Sequence, residues 1–143
     1  MTIEKLKADD IPALLALYGE FEGFALNLEK SIANYQAMER DDRYLLLAAK
    51  DGERVVGTVL GIICPTLAIE ARPFLVVEDV IVAQTHRRTG IGKALMDALD
   101  VFAQENDCLY AILVSSGFRK GAHKFYESIG YTEDVRGFRK HYE

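Results

Sequence analysis

The apolar positions change period several times along the chain, and each change marks an element. Residues 2–7 alternate imperfectly and predict a short opening strand. Asp10 stands before Ile11-Pro12, an acidic cap with proline in the first turn, so a helix is expected to start there and run to Tyr18. Residues 27–40 place Leu28, Ile32, Tyr35 and Met38 on one side of a second helix. Residues 44–49 are strand-like, Asp51-Gly52 is a hairpin signal, and the Val- and Ile-rich run 54–64 is the returning strand. After a loop at 65–73, residues 74–82 are almost continuously apolar, as in a central strand covered on both faces, and only Glu78 and Asp79 interrupt them.

The period then becomes helical over 92–102, where Ala94, Leu95, Ala98, Leu99 and Phe102 form a stripe. Residues 109–114 read as a strand. Residues 119–129 read as a helix with Gly130 as its C-terminal cap. One or two short closing strands are expected in 131–142. The order βααβββαβαβ, without linker or repeat, predicts one mixed α/β domain over residues 1–143.

Composition narrows the function classes. Of 143 residues, 50% are hydrophobic and 27% charged, the balance of a soluble globular chain. No run approaches the ~20 apolar residues of a membrane span, and residues 1–7 lack an apolar signal core, so a cytoplasmic protein with no membrane partner is expected. The net charge of -5 argues against a nucleic-acid partner, and it suits a cationic substrate as well as ordinary solubility. Cys64 and Cys108 have no CxxC spacing, and His86, His123 and His141 are scattered, so no metal site is expected and both cysteines read as buried thiols.

The segment with most chemical information is a buried strand, a basic glycine turn and a helix, running from Val80-Ile81-Val82 through Arg87-Arg88-Thr89-Gly90-Ile91-Gly92 to Lys93. A helix N-terminus offers unpaired N–H groups and partial positive charge, glycine lets backbone approach an anion, and Arg87, Arg88 and Lys93 add charge. That is a cradle for phosphate or pyrophosphate. It is not a nucleotide P-loop, because the first glycine would fall at Arg87 and the magnesium-binding hydroxyl at Ala94. It is not the dinucleotide GxGxxG either, because the third glycine would fall at Leu95.

What remains, Arg87-x-x-Gly90-x-Gly92, resembles the acyl-CoA pyrophosphate pattern (Q/R)xxGx(G/A) of the GNAT superfamily of N-acetyltransferases. Ala122-His123-Lys124-Phe125-Tyr126-Glu127-Ser128-Ile129-Gly130-Tyr131 resembles that family's AxxFYxxxG(F/Y) segment, one helix and one strand downstream. The resemblance implies an α/β fold with a central, mixed and mostly antiparallel sheet, splayed at its fourth strand and flanked by helices. It implies acetyl-CoA as co-substrate and transfer of its acetyl group to an amine by direct attack. Arg87, Arg88, Thr89, Gly90, Ile91, Gly92 and Lys93 would hold the pyrophosphate. Val80, Ile81 and Val82 would pair with the pantetheine arm, a backbone N–H near Val80 polarising the thioester carbonyl. Tyr126 stands where the family's general acid reaches the CoA sulfur. The family often has asparagine where this chain has Arg119, which could still reach the arm or a phosphate.

Glu78 and Asp79 are the candidate bases, and Glu78 is preferred, directly or through water. Adjacent strand residues point to opposite faces, so Asp79 is expected to orient substrate instead. The Glu-Asp pair is shared by glucosamine-phosphate and diamine acetyltransferases and does not choose between them. The acidic set Glu20, Glu22, Glu29, Glu39, Asp41 and Asp42 leans toward a cationic small-molecule amine, although a solvated helix face explains most of it. Two other classes stay open: an acyl-CoA sensor or scaffold without turnover, and transfer to a protein or peptide amine. The resemblance also admits a homodimer.

Overall fold

The computed structural model describes residues 1–115 and 120–143. The chain opens on β1 (Thr2–Lys5), too short to stand alone and held antiparallel to the next strand from Thr2↔Lys50 to Lys5↔Leu47. A 3-10 turn leads into α1 (Ile11–Tyr18), with Pro12 in the first turn, where a missing N–H breaks no helix bond. Asp10 does not cap that helix with its side chain. Its carboxylate accepts from the Lys7 N–H at 2.8 Å and from Lys50 Nζ at 2.7 Å. Asn27 is a side-chain cap: its Oδ1 accepts from the Lys30 N–H at 2.9 Å and opens α2 (Leu28–Glu39). Only part of the expected α2 stripe is buried. Tyr35 is covered and donates to the Leu6 carbonyl at 2.9 Å, whereas Leu28 and Ile32 remain exposed.

The hairpin forms where expected, between β2 (Tyr44–Asp51) and β3 (Arg54–Cys64), with its two-residue loop at Gly52-Glu53, one position beyond the Asp51-Gly52 signal. β4 (Phe74–Val82) returns antiparallel to β3, and β5 (Ala111–Ile112) lies parallel to β4, giving the order β1-β2-β3-β4-β5. This is the mixed, mostly antiparallel sheet that the family resemblance implies. β5 is shorter than its predicted six residues because its ladder covers only Leu75↔Ala111 and Val76↔Ile112. Two bonds outside the ladder, Leu109 N–H to Pro73 O and Leu75 N–H to Tyr110 O, hold its approach. Beyond Val76 the two strands part, and the later half of β4 has no β5 partner among the described residues.

α3 (Ile91–Glu105) packs on the sheet face where β3 carries Gly57 and Gly61. A Cβ on Gly57 would come within 2.8 Å of Ile91 Cγ2, and one on Gly61 within 2.8 Å of Leu99 Cδ2, so the close approach of helix to sheet depends on both glycines. Ile91, Leu95, Met96 and Leu99 are buried on α3, while Ala94, expected in the stripe, is exposed. The other face of β3, where Val56 and Thr58 are fully buried, is contacted by α1. Cys64 and Cys108 are half-buried free thiols rather than core residues. No helix among the described residues is long and apolar enough to cross a membrane.

Contacts divide the chain into two units, Met1–Ile112 and Leu113–Glu143. The second contains α4 (Lys120–Ser128), and Gly130 ends it as expected: at φ +105°, its N–H bonds to Glu127 O while the Tyr131 N–H bonds to Tyr126 O. The closing strands expected in 131–142 are not formed. Val135, Phe138 and Tyr142 stay exposed, so this segment presents no apolar face to a core.

Candidate functional site

β4 is not a regular strand through its carboxylate pair. Leu60 pairs with Glu78 and Thr58 with Ile81, so Val59 alone opposes two residues, Asp79 and Val80. That is a β-bulge, and Asp79 absorbs it by taking a left-handed conformation at φ +54°. Aspartate reaches that region more readily than β-branched residues, such as the valines and isoleucine around it. The bulge removes the premise that Glu78 and Asp79 must face opposite ways. Glu78 shares a face with Leu60, and the Asp79 carboxylate is felt at the Tyr18 hydroxyl on α1. Burial, and then the Asp79 charge, push the Tyr18 hydroxyl well above its ordinary pKa. Asp79 itself has an exposed side chain, yet enough protein surrounds the carboxyl that desolvation raises its pKa.

Beyond the bulge the strand feeds the basic turn. Val82 pairs with Gly57, the Ala83 N–H bonds to Val56 O at 2.8 Å, and a 3-10 turn at Gln84–His86 lifts the chain off the sheet. Arg88 (φ +61°) and Gly90 (φ +86°) are both left-handed, and Gly90 is the N-cap of α3. The first bond of the helix ladder runs from the Ala94 N–H to Gly90 O at 3.0 Å, so the N–H groups of Ile91, Gly92 and Lys93 precede it. A Cβ on Gly90 would meet nothing within 4 Å, so the cap faces open space. A fifteen-residue helix with an open glycine cap and two adjacent exposed arginines can hold a phosphate or pyrophosphate.

Side chains tie that turn down. His86 Nε2 lies 3.1 Å from Asp51 Oδ2 on the β2–β3 hairpin, and its Nδ1 lies 2.8 Å from Thr85 Oγ1. The Thr89 hydroxyl donates to the His86 carbonyl, so it braces the turn from within. Lys93 Nζ pairs with Asp97 Oδ2 one helical turn on, at 2.7 Å, and must leave it to meet an anion. The sequence reading missed His86 and Asp51, whose contact joins positions 35 residues apart.

Residues 19–27, between α1 and α2, approach the same end of the sheet. Arg54 on β3 reaches Glu20 at 3.4 Å, and the Arg87 guanidinium carbon lies 5.8 Å from the centroid of the Phe21 ring. Tyr18 and Phe24 stack in parallel, with centroids 5.1 Å apart and planes 4° apart. Neither aromatic was singled out from sequence, because nothing in their spacing sets them apart from core residues.

The structure therefore brings Glu78, Asp79, Val80, Ile81, Val82 and the turn from Arg87 to Lys93 into one continuous segment of the first unit. Tyr126 belongs to the second unit, where its ring is tilted against that of Phe125 and meets that of Tyr131 edge-on, at centroid distances of 5.4 and 6.1 Å. Arg119 lies outside the described residues.

Comparison with known proteins agrees with this fold. The family model described as the acetyltransferase (GNAT) family matches residues 11–131. No curated protein sequence matches the chain significantly. Among solved structures, an acetyltransferase from Trypanosoma brucei superposes with a TM-score of 0.83 at 27% identity, covering 98% of each chain. Glucosamine-6-phosphate N-acetyltransferase from Arabidopsis thaliana gives 0.88 at 19% identity, over 99% of this chain and 98% of that one. An aminoglycoside acetyltransferase from an uncultured soil sample gives 0.81 at 22% identity, over 99% and 95%. With a family model spanning most of its length, the chain belongs to the GNAT family of acetyltransferases.

Proposed function

We propose that this protein is an acetyl-CoA-dependent N-acetyltransferase that moves the acetyl group to a primary amine of a small molecule by direct attack. One observation carries the reading: a strand bulged at Asp79 runs directly into an anion-binding turn capped by left-handed Gly90. Acetyl-CoA supplies the activated acetyl group as a thioester. The N–H groups at the start of α3, with Arg87 and Arg88, hold its pyrophosphate, Thr89 keeps the turn in shape, and Lys93 contributes charge once it leaves Asp97. The backbone of Val80, Ile81 and Val82, beyond the last β5 pair, takes the pantetheine arm as an added strand. Arg119 is assigned to the same arm.

Glu78, directly or through water, takes a proton from the ammonium so that nitrogen has a lone pair. A backbone N–H near Val80 donates to the thioester oxygen, where negative charge grows during attack. Tyr126 gives a proton to the sulfur as the C–S bond breaks, and Asp79 holds the amine in line. Solved neighbours on this fold are named for glucosamine-6-phosphate, aminoglycoside and ribosomal-protein-alanine acetylation, so the fold serves small-molecule and protein amines alike.

Thiol release from acetyl-CoA, measured against alkylamines, amino sugars, polyamines, aminoglycosides and peptide N-termini, tests the proposal. Acetyl-CoA is expected to raise the melting temperature and at least one small amine to drive release. Acetyl-CoA that neither stabilises the protein nor displaces a fluorescent CoA analogue overturns it.

A further inference from the structure

We propose that the acceptor is a cationic amine carried on an apolar aryl or alkyl body, and that Tyr18, Phe24 and Asp79 select it. This rests on the acetyltransferase reading and narrows its substrate. Phe24 is 40% exposed although it stacks on Tyr18, so an aromatic surface is held in place and offered to solvent. Leu26 in the same loop is 45% exposed, and its Cδ1 lies 3.7 Å from where a Cβ on Gly19, the residue after Tyr18, would sit. α1, which ends at Tyr18, packs on β3, the strand paired with β4 through the bulge at Asp79, and the Asp79 charge adds to burial in raising the Tyr18 hydroxyl's pKa. Rings beside a carboxylate favour an organic ammonium twice over, through the ring quadrupole and through the charge.

The local charge excludes the main competitor. Residues 19–27, the loop that carries Phe24 and Leu26, hold Glu20 and Glu22 and no lysine or arginine. The two cations seen to reach this loop are engaged: Arg54 with Glu20, and Arg87 over Phe21 in the turn assigned to pyrophosphate. A phosphosugar would bring its phosphate among carboxylates and lay its hydroxyls against Phe24 and Leu26, which offer no hydrogen bonds. An aryl- or alkylamine places an apolar body there and its ammonium toward Asp79 and Glu78.

Steady-state thiol release with 2-phenylethylamine, hexylamine and glucosamine-6-phosphate tests this in wild type, Phe24→Ala, Phe24→Tyr and Asp79→Asn. Wild type is expected to prefer 2-phenylethylamine or hexylamine over glucosamine-6-phosphate. Phe24→Ala should raise the KM for 2-phenylethylamine about tenfold with kcat within about twofold, while the acetyl-CoA KM stays put. Phe24→Tyr should restore it, and Asp79→Asn should raise the KM for both monoamines. Preference for the phosphosugar, or an amine KM that Phe24→Ala does not move, overturns this pocket and leaves the transferase reading standing. No release with any amine despite acetyl-CoA binding overturns the transferase reading, and the pocket with it.

Discussion

Arg87, the first residue of the turn proposed to hold pyrophosphate, lies over the ring of Phe21, a residue of the loop between the first two helices, with 5.8 Å from guanidinium carbon to ring centroid. The same cation is thus shared between that ring and the proposed pyrophosphate. It cannot turn fully toward a pyrophosphate and keep that ring contact. An exposed cation–π contact is worth about 0.5–1 kcal/mol. Phe21→Ala removes this competition, so the acetyl-CoA Kd is expected to fall about two- to fivefold by calorimetry. A Kd that rises would show that the ring instead aims the guanidinium at the cofactor.

The fit of α3 against β3 gives a second prediction. Gly57→Ala would force a Cβ to 2.8 Å from Ile91 Cγ2 and 3.2 Å from Leu95 Cδ1. Overpacking of this kind costs about 1–3 kcal/mol. Because Ile91 begins α3, the strain should also displace the N–H groups of the phosphate cradle. Gly90→Ala meets no clash and suffers only the left-handed φ of +86°, about 1 kcal/mol or somewhat more. Thermal melts should therefore show both variants destabilised, Gly57→Ala the more so, and both should bind acetyl-CoA more weakly. An undisturbed Gly57→Ala would mean that the helix slides without cost.

Local signals in the sequence predict local structure well here, and long-range contacts poorly. Asp51-Gly52 near a hairpin loop and Gly130 at a helix end each act within a few residues, and both are found, whereas the side-chain cap expected at Asp10 does not form and Asn27 provides one instead at the second helix. The strand, basic turn and helix holding Gly90 and Gly92 is legible for the same reason. The bulge at Asp79 is not, because two-residue periodicity assumes one residue opposite one, and only the pairing with β3 shows two opposite Val59. Leu28 and Ile32 fit a helical stripe that a partner could bury, yet they remain exposed. The contacts of Arg87 with Phe21 and of His86 with Asp51 join residues far apart in sequence, which no spacing rule reaches.

The raised pKa of Asp79 makes stability depend on pH in a defined direction. Burial disfavours its charged form in the folded protein, so the folded-state pKa lies above the unfolded value of about 3.9. Its favourable contribution is complete below the unfolded value and is lost as pH rises through the folded value. At neutral pH the folded protein therefore carries a penalty, limited by the side chain's exposure. Asparagine cannot ionise and tolerates the left-handed backbone as well as aspartate. Asp79→Asn should melt about 1–3 °C above wild type at pH 7 and level with it near pH 3. A gain that is equal at both pH values would assign the effect to packing rather than charge. A gain at pH 7 alone, with a raised amine KM, would mark Asp79 as kept for substrate at the expense of stability.

The role assigned to Glu78 makes the last prediction, and its sign follows from the amine. Near neutral pH an alkylamine is almost entirely ammonium, since such groups have pKa values near 10.4. A positioned base is then needed in every turnover, and losing it costs about 10²–10⁴-fold. Glu78→Gln keeps the side chain's size and removes its basicity, so kcat/KM should fall by roughly two orders of magnitude at pH 7. As pH rises, solvent produces the neutral amine without help, and the deficit should shrink toward pH 10. Tyr126→Phe should behave differently, because a proton delivered to the leaving thiolate is not replaced by a more basic solvent. Its loss in kcat should hold steady from pH 7 to about 9, where the Glu78→Gln deficit is already shrinking, and fade only near pH 10, where phenols ionise. Parallel pH profiles for the two variants would contradict the division of labour between Glu78 as base and Tyr126 as acid, whatever the size of either defect.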